Sequence, residues 1–243
     1  MKILLIAGHG QGDPGAVGNG HKEAELVREM VKSLKNKLST YAIVDVFDVN
    51  KNMYKFLKAG NSFNFKDYDY VFEVHFNAIK KETISDGKTK GTEILVHPSE
   101  KGTGVENAIV KNISALGFKN RGVKIRTNLQ NMNICKGRQG VSYALLETCF
   151  VDDVDDMRLY ASEKNAVITA IANGIIVGFG LGKPIKEEKV IEMQELTTPN
   201  DIVWQLSQMI EITDSSKAVN DLTKAMNENS SCYWMLKKIA NKK

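Results

Sequence analysis

Short apolar runs, separated by longer polar stretches, mark the first 180 residues of the chain. The runs are rich in Val, Ile, Leu and aromatic residues, which β-strands favour. Five of them predict strands, at residues 3–7, 42–49, 70–74, 93–96 and 144–146. None approaches the roughly 18 apolar residues that a membrane-spanning helix needs, so the pattern predicts neither a membrane span nor a membrane partner.

Helical spacing appears in two of the intervening stretches. Apolar residues three or four positions apart form one stripe in residues 26–38 and another in residues 163–177. Strands that alternate with helices bury their apolar faces as packed layers, so the pattern predicts an α/β domain. We expect a mixed, mostly parallel sheet that is flanked by helices.

The pattern changes near residue 180. Residues 178–189 combine three Gly, one Pro and a cluster of charges, which is typical of a linker. Three short helical patterns follow, each preceded by Ser, Thr or Asn residues that can cap a helix. We therefore predict a domain at residues 1–180, a linker at 181–195 and a small all-helical domain at 196–243.

Composition and charge narrow the class of protein. The chain of 243 residues is 42% hydrophobic and 26% charged, as soluble globular proteins are. Its net charge of +4 is too mild to indicate a nucleic-acid partner. The three Cys form no CxxC pattern and no disulfide framework, which favours a reducing compartment. The opening MKILLIAGHG ends in glycines and a His instead of a cleavage site, so we expect synthesis in a cytoplasm without a signal peptide.

Candidate chemistry lies where three predicted strands end. His9, His75 and Glu147 each follow an apolar run. In α/β sheets, the residues at the carboxyl ends of strands line the ligand crevice. Two imidazoles and a carboxylate at such an edge predict a metal site or an acid–base site.

A Gly-rich segment connects His9 to a further carboxylate. Residues 8–23 read GHGQGDPGAVGNGHKE and place Glu23 at the start of the first helical stripe. A phosphate-binding loop is disfavoured because a His heads the segment and GxxxxGK[ST] is absent. His9, Glu23 and His75 together make a His₂Glu set, which is typical of a catalytic zinc shell with a fourth position for water. Glu25 is the alternative carboxylate, and Glu147 would serve as proton acceptor and donor.

Three motifs, in this order, give the chain a family resemblance: GHGQGDPGAVGNGHKE, EVHFNA and LLETCF. Together they resemble the zinc-dependent N-acetylmuramoyl-L-alanine amidases of the amidase-3 type, which occur in bacterial cell-wall hydrolases and phage endolysins. The resemblance covers residues 1 to about 180. It implies that His9, Glu23 and His75 hold zinc and that Glu147 is the catalytic Glu.

Two further residues are candidate substrate contacts. Asn77 matches the family's Asn beside the second zinc-binding His, where it either orders the loop or touches substrate. His21 lies in the variable part of the Gly-rich segment and is either a substrate contact or simply exposed to solvent.

The resemblance implies a peptidoglycan hydrolase that cleaves the amide between N-acetylmuramic acid and L-alanine with zinc-activated water. It implies Gram-positive peptidoglycan as the partner and phage-induced host lysis as the role, with action on the wall after release. The alternatives are a sporulation or autolytic amidase, a zinc carboxypeptidase acting on peptidoglycan peptides, and a wall-binding protein with a decayed site. Residues 196–243 are open to wall binding, self-association or packing on the first domain.

Other acidic and thiol side chains near the motifs suggest supporting roles. Glu73 shares a strand face with His75 and is a candidate supporting carboxylate for it. The pairs Asp152-Asp153 and Asp155-Asp156 lack the Gly and the terminal Glu of a calcium loop, so they predict a solvated helix start. Cys149 is expected to be buried and not to act as a nucleophile.

Overall fold

The structure, a computed structural model, describes residues 1–10 and 12–182. Its strands are β1 (Lys2–Ala7), β2 (Val17–Gly18), β3 (His21–Lys22), β4 (Ile43–Val46), β5 (Tyr70–Asn77), β6 (Thr92–Val96), β7 (Asn120–Ile125) and β8 (Ser142–Phe150). Its α-helices are α1 (Glu23–Leu38), α2 (Met53–Lys58), α3 (Gly104–Ser114), α4 (Gln130–Met132) and α5 (Val154–Gly178). A 3₁₀ turn (Phe65–Asp67) precedes β5, and a π-helical stretch (Asn133–Arg138) directly follows α4.

The predicted domain boundary falls at the end of the described part. α5 ends at Gly178, and only residues 181–182 of the predicted linker are described. The helical domain predicted for residues 196–243 lies outside the described residues and stays a prediction. None of the described helices is both long and apolar enough to cross a membrane.

Six strands form one sheet in the order β4-β1-β5-β8-β6-β7. The first four pair in parallel, whereas β6 runs antiparallel to β8 and parallel to β7. The predicted fold, a mixed and mostly parallel sheet with flanking helices, is therefore confirmed. Because β1, β5 and β8 are neighbours that run the same way, their carboxyl ends meet at one edge of the sheet.

Both faces of the sheet are covered, but not equally. Along β1, Ile3 and Leu5 face one side while Leu4 and Ile6 face the other, and all four are inaccessible to solvent. The first side packs against the long helices α1, α3 and α5. The second side is covered by α2, the 3₁₀ turn and the stretch from α4 to Arg138. This lighter covering leaves room for a cleft on the second side.

The sequence pattern does not predict α2, α3 or β7. The apolar stripe of α3 is short, but the helix packs so closely on α5 that a Cβ on Gly174 would lie 2.5 Å from Ile109 Cγ1. β7, with the sequence NRGVKI, is an edge strand with half-exposed side chains. An edge strand has a neighbour on only one side, so its sequence can stay polar and shows no apolar run.

Two central strands run further than predicted. β5 continues to Asn77 and β8 spans Ser142–Phe150, so His75 and Glu147 lie inside strands and not beyond them. A polar side chain ends the apolar run in the sequence. The backbone nevertheless continues to pair, with His75 in register with Glu147.

The acidic start of α5 is buried, so the prediction of a solvated helix start is wrong. α5 begins at Val154, well before the predicted stripe, and Asp153 caps it by accepting the backbone N–H of Asp156 at 3.0 Å. We call the four acidic residues of this segment the aspartate anchor; they are Asp152, Asp153, Asp155 and Asp156, and all are at most 8% exposed. The reason for their burial is a loop, residues 78–91, that lies over them.

Each member of the aspartate anchor accepts hydrogen bonds from that loop. Asp152 accepts the backbone N–H groups of Ile79 and Lys81 at 2.9 and 3.2 Å. The remaining three accept from Thr83 Oγ1 (Asp153), from Ser85 Oγ and the N–H groups of Asp86 and Gly87 (Asp155), and from the N–H of Gly91 (Asp156). These carboxylates replace the water that would otherwise solvate the loop backbone.

Candidate metal and catalytic site

Three adjacent strands bring the chemistry predicted from the sequence to one place. His9 follows β1, and His75 and Glu147 lie side by side near the carboxyl ends of β5 and β8. The two imidazole rings approach edge to face, with their centres 5.0 Å apart. The sheet order therefore supplies the convergence that the sequence alone could only suggest.

A small hairpin carries Glu23 into this group. β2 and β3 pair in antiparallel fashion around Asn19 and Gly20, whose φ angles of 49° and 77° suit a tight two-residue turn. Asn19 fixes the turn by donating from Nδ2 to the carbonyl of Val151 at 3.0 Å. α1 then begins at Glu23, whose backbone N–H donates to Ala16 O at 2.9 Å.

Two glycines of the segment are required by space. A Cβ on Gly8 would lie 2.4 Å from the ring of His75. A Cβ on Gly15, which also has a φ of 68°, would lie 2.6 Å from the ring of His9 and 2.7 Å from Glu23 Oε2. The chain is thus packed tightly around these three side chains and holds them together.

Glu23 bridges the two histidines. Its Oε1 lies 2.9 Å from His75 Nδ1 and its Oε2 lies 2.9 Å from His9 Nε2. The same oxygens accept the backbone N–H groups of Phe76 and Ala16, each at 2.9 Å. The side chain is only 3% exposed, so its position is fixed on all sides.

The charges of this group depend strongly on one another. Burial alone would lower the pKa of His75, but the hydrogen bonds that its ring donates to Glu23 and Glu73 raise it well above its usual value. The pKa of His9 is raised as well, because Glu23 outweighs the opposing effect of burial. Burial works against ionisation of Glu23, yet the two imidazoles hold its pKa far below the usual range. The negative charge of Glu23 is therefore balanced by protons on the two imidazoles, which is the role that a bound metal cation would otherwise fill.

The geometry suits a metal ion. Ligand atoms of His9, Glu23 and His75 all lie within 4.8 Å of one another. Two imidazole nitrogens and one carboxylate oxygen are the donors of a catalytic zinc shell. The alternative carboxylate, Glu25, is exposed and pairs with Lys22 at 3.1 Å. The residues present thus fit a metal of the zinc type, with Glu23 as the carboxylate.

Glu147 lies next to this set but does not share its hydrogen bonds. Its Oε2 is inaccessible and has no hydrogen-bond partner. Burial raises the pKa of Glu147 to about 7, while the nearby His75 lowers it and the carboxylates of Glu23 and Glu93 raise it further. A carboxyl with a pKa near neutrality and a free oxygen is suited to accept and return a proton.

The site opens into a cavity of about 230 Å³ on the second side of the sheet. Its lining includes His9, His75 and Glu147 from the site, together with Tyr54 of α2 and Gln130 of α4. The rim of this cleft is formed by α2 and α4, neither of which the sequence pattern predicts.

The two candidate substrate contacts lie outside the described lining of that cavity. Asn77 donates from Nδ2 to Glu93 Oε1 at 3.2 Å, and its Oδ1 accepts the N–H of Ala78 at 2.8 Å. Both contacts order the end of β5. His21 lies in β3 with its side chain exposed. Substrate contact by either residue stays a prediction.

Several site residues were not singled out from the sequence. Asp13 lies 3.3 Å from His9 Nδ1 and is inside the Gly-rich motif, so the motif itself was a usable signal. Tyr143 alternates with Glu147 along β8, and strand periodicity would have placed it on the same face. Asn131 belongs to α4 and has no comparable signal in the sequence.

The family model described as N-acetylmuramoyl-L-alanine amidase matches residues 3–177. The chain belongs to this amidase family. The match includes β1 to α5 and all four residues of the site, and it shows the family that the three motifs resemble.

Relatives of the chain include phage and bacterial proteins. It is 28% identical to the "probable autolysin PH" of Staphylococcus aureus over 200 residues, which are 76% of this chain and 39% of that protein. It is 28% identical to the endolysin of Bacillus phage SPP1 over 201 residues, 77% of this chain and 71% of the relative. The chain thus spans about two fifths of the first relative and about seven tenths of the second.

A solved structure shows the same fold. The catalytic domain of the CD27L endolysin, which targets Clostridium difficile, superposes with a TM-score of 0.59 at 24% identity. The match covers 73% of this chain and 97% of that domain. At this level of identity the likeness supports the α/β fold and nothing finer.

Proposed function

We propose that the protein is a zinc-dependent N-acetylmuramoyl-L-alanine amidase. It hydrolyses the amide bond between N-acetylmuramic acid and the L-alanine of the stem peptide in peptidoglycan. One observation carries the proposal: His9, Glu23 and His75 meet around one point, with the unpartnered oxygen of Glu147 beside them. Membership of the amidase family supports the choice of substrate bond.

The metal would be held by His9 Nε2, His75 Nδ1 and the carboxylate of Glu23. Zinc at this position supplies Lewis-acid chemistry, since it makes water a nucleophile near neutral pH and polarises a carbonyl group. The protein's own contribution is rigidity. Backbone N–H groups of Phe76 and Ala16 hold the Glu23 carboxylate, so the donor set needs little reorganisation.

Glu147 moves the proton. Its carboxylate accepts a proton from the attacking water and then returns it to the nitrogen of the leaving amine. Burial favours this double role because it brings the pKa of Glu147 to about 7, where the group gains and loses a proton with little cost. Oε2 of Glu147 has a free lone pair for this proton because no described residue forms a hydrogen bond with it.

The biological role we propose is lysis of a Gram-positive host by a phage endolysin, with the enzyme made in the cytoplasm and acting on the wall after release. The SPP1 endolysin among the relatives supports this role. The autolysin relative supports an autolytic amidase instead, and the same chemistry serves both. The net charge of +4 suits approach to an anionic wall. For residues 196–243 we propose wall binding, with self-association as the alternative.

Zinc content and wall lysis test the proposal together. We expect about one zinc per chain, and lysis of Gram-positive walls that chelation abolishes and zinc restores. The products should be a new N-terminal alanine and a free lactyl carboxyl on the muramic acid. Release of a terminal amino acid instead would establish a carboxypeptidase. Activity that chelators do not affect in a protein without zinc would refute the metal mechanism.

A further inference from the structure

A second carboxylate touches His75 from the side opposite Glu23. Glu73 Oε1 lies 2.9 Å from His75 Nε2, while Glu23 Oε1 lies 2.9 Å from Nδ1 of the same ring. Glu73 is two residues before His75 on β5, so both side chains point to the second side of the sheet. We call His9, Glu23 and His75 the metal set. The His75 ring is therefore held between two carboxylates, Glu23, which belongs to the metal set, and Glu73, which does not.

Apart from the imidazole of His75, the described residues that donate hydrogen bonds to Glu73 are neutral. Asn131 Nδ2 lies 2.9 and 3.1 Å from its two oxygens, and the hydroxyl of Tyr143 donates to Oε2. No lysine or arginine of the described residues pairs with it. Glu93, on a nearby strand, instead pairs with Arg121 and Lys124.

This arrangement fixes which nitrogen of His75 carries a proton. An ionised carboxylate can only accept hydrogen bonds, so the three groups that face Glu73 must all donate to it. His75 Nε2 therefore bears the hydrogen. Without a metal, Nδ1 also bears a hydrogen, which it donates to Glu23; once a cation replaces that proton, the lone pair of the neutral ring is on Nδ1.

We infer that Glu73 is a positioning residue that orients His75 as a metal ligand through Nδ1. The inference rests on the zinc site proposed above. A carboxylate behind a metal-binding imidazole fixes the tautomer and the angle of the ring and makes it a better donor. Asn131 and Tyr143 act one step further out, because they hold Glu73 in the orientation that meets His75.

A purely structural role for Glu73 predicts something different. In that case its substitution would lower stability but leave the metal affinity of the folded protein unchanged. The chain offers a matched control in Glu106, which is 3% exposed and accepts a hydrogen bond from the buried hydroxyl of Tyr70 at 2.8 Å. Glu106 resembles Glu73 in burial and in its tyrosine partner, but it has no contact with a histidine.

The test measures zinc affinity of the metal-stripped full-length chain by competition with a chromophoric chelator. We expect Glu73→Gln to weaken zinc binding roughly 10- to 100-fold, because the isosteric amide lacks the charge that makes His75 a strong donor. Glu106→Gln should leave the zinc affinity within about twofold. Thermal unfolding of both variants, without metal, reports any loss of stability separately.

Tyr143→Phe provides a second variant that leaves both Glu73 and His75 in place. It removes one hydrogen bond to Glu73 and should weaken zinc binding in the same direction, by roughly 2- to 10-fold. A parent and a Glu73→Gln variant that bind zinc equally well would overturn the inference while leaving the zinc site intact. A parent that binds no zinc would overturn the proposed function and the inference with it.

Discussion

Two carboxylate clusters at the same end of the sheet have opposite characters. In the metal set, Glu23 faces the imidazoles of His9 and His75 at 2.9 Å. In the aspartate anchor, Asp152 and its three neighbours face mainly backbone N–H groups and hydroxyls of the loop 78–91. The hairpin β2–β3 lies against both clusters. Its second strand leads directly into Glu23, and its Gly18 packs so closely on the aspartate anchor that a Cβ there would lie 2.7 Å from Asp152 Cα.

The difference shows that burial of carboxylates alone says little about function. A backbone N–H group can only donate a hydrogen bond and must be paired when it is buried, so a carboxylate that faces such groups holds the chain in place. Imidazoles can release a proton and offer a lone pair to a cation, so a carboxylate that faces them is part of an exchangeable site. The predictions below test this distinction, beginning with the largest expected effect on activity.

Removing the shared carboxylate of the metal set should have the largest effect. We expect Glu23→Ala to lose bound zinc and to bring wall lysis to the background level, because it deletes one of three ligands and leaves two imidazoles unsupported. Metal analysis and a turbidity assay on cell walls measure both. Glu25→Ala, an exposed carboxylate two residues further along α1, is the control and should keep both zinc and activity. Equal zinc loss in the two variants would contradict the assignment.

Removing the proton carrier should reduce activity without removing the metal. For Glu147→Gln we expect kcat/KM to fall by roughly 10²- to 10⁴-fold, the usual contribution of a general acid–base group. Zinc content should remain at about one per chain, because Glu147 is not a ligand in the proposed site. A variant that keeps the activity of the parent would exclude Glu147 as the base.

The pH dependence should follow the same residue. In the proposed mechanism Glu147 acts as a carboxylate, so we expect activity to be lost as pH falls and the group takes up a proton. Burial places its pKa at about 7, and a bound cation would lower it, so the acid limb of kcat/KM should have its midpoint at or below pH 7. Below the midpoint we expect roughly tenfold loss per pH unit. Zinc content measured at each pH separates this limb from metal loss; a midpoint well above 7 would argue against Glu147.

The aspartate anchor should give the smallest effect on activity and a clear effect on stability. Asp152→Ala leaves the backbone N–H groups of Ile79 and Lys81, whose hydrogen bonds to it are partly buried, without their acceptor, which should cost about 1–3 kcal/mol in the free energy of unfolding. Denaturant unfolding measures the loss. Asp86→Ala, an exposed residue of the loop, should change stability by no more than about 0.5 kcal/mol. Zinc loss in Asp152→Ala would show that the two clusters are not separate.

Prediction from sequence worked where the signal is local. The strand β1 and the helix α1 have uninterrupted periodicity, and both are found close to their predicted bounds. β7 was not predicted because an edge strand needs few apolar residues. α3 was not predicted because its apolar stripe, formed by Val105, Ile109, Val110 and Ile113, is short. The solvated helix start was wrong for a related reason. The partners of Asp152 are backbone groups about 70 positions earlier, and no side-chain pattern records them.

The α/β class, the apolar strands and the residue types of the site can be read from the sequence, because they depend on spacing along the chain and on the chemistry of each side chain. Which carboxylates lie together depends instead on the three-dimensional fold. Strand order made His75 and Glu147 neighbours, and the hairpin carried Glu23 between two imidazoles. Distances between residues far apart in the chain follow from how the layers pack, and packing is settled by the whole fold at once.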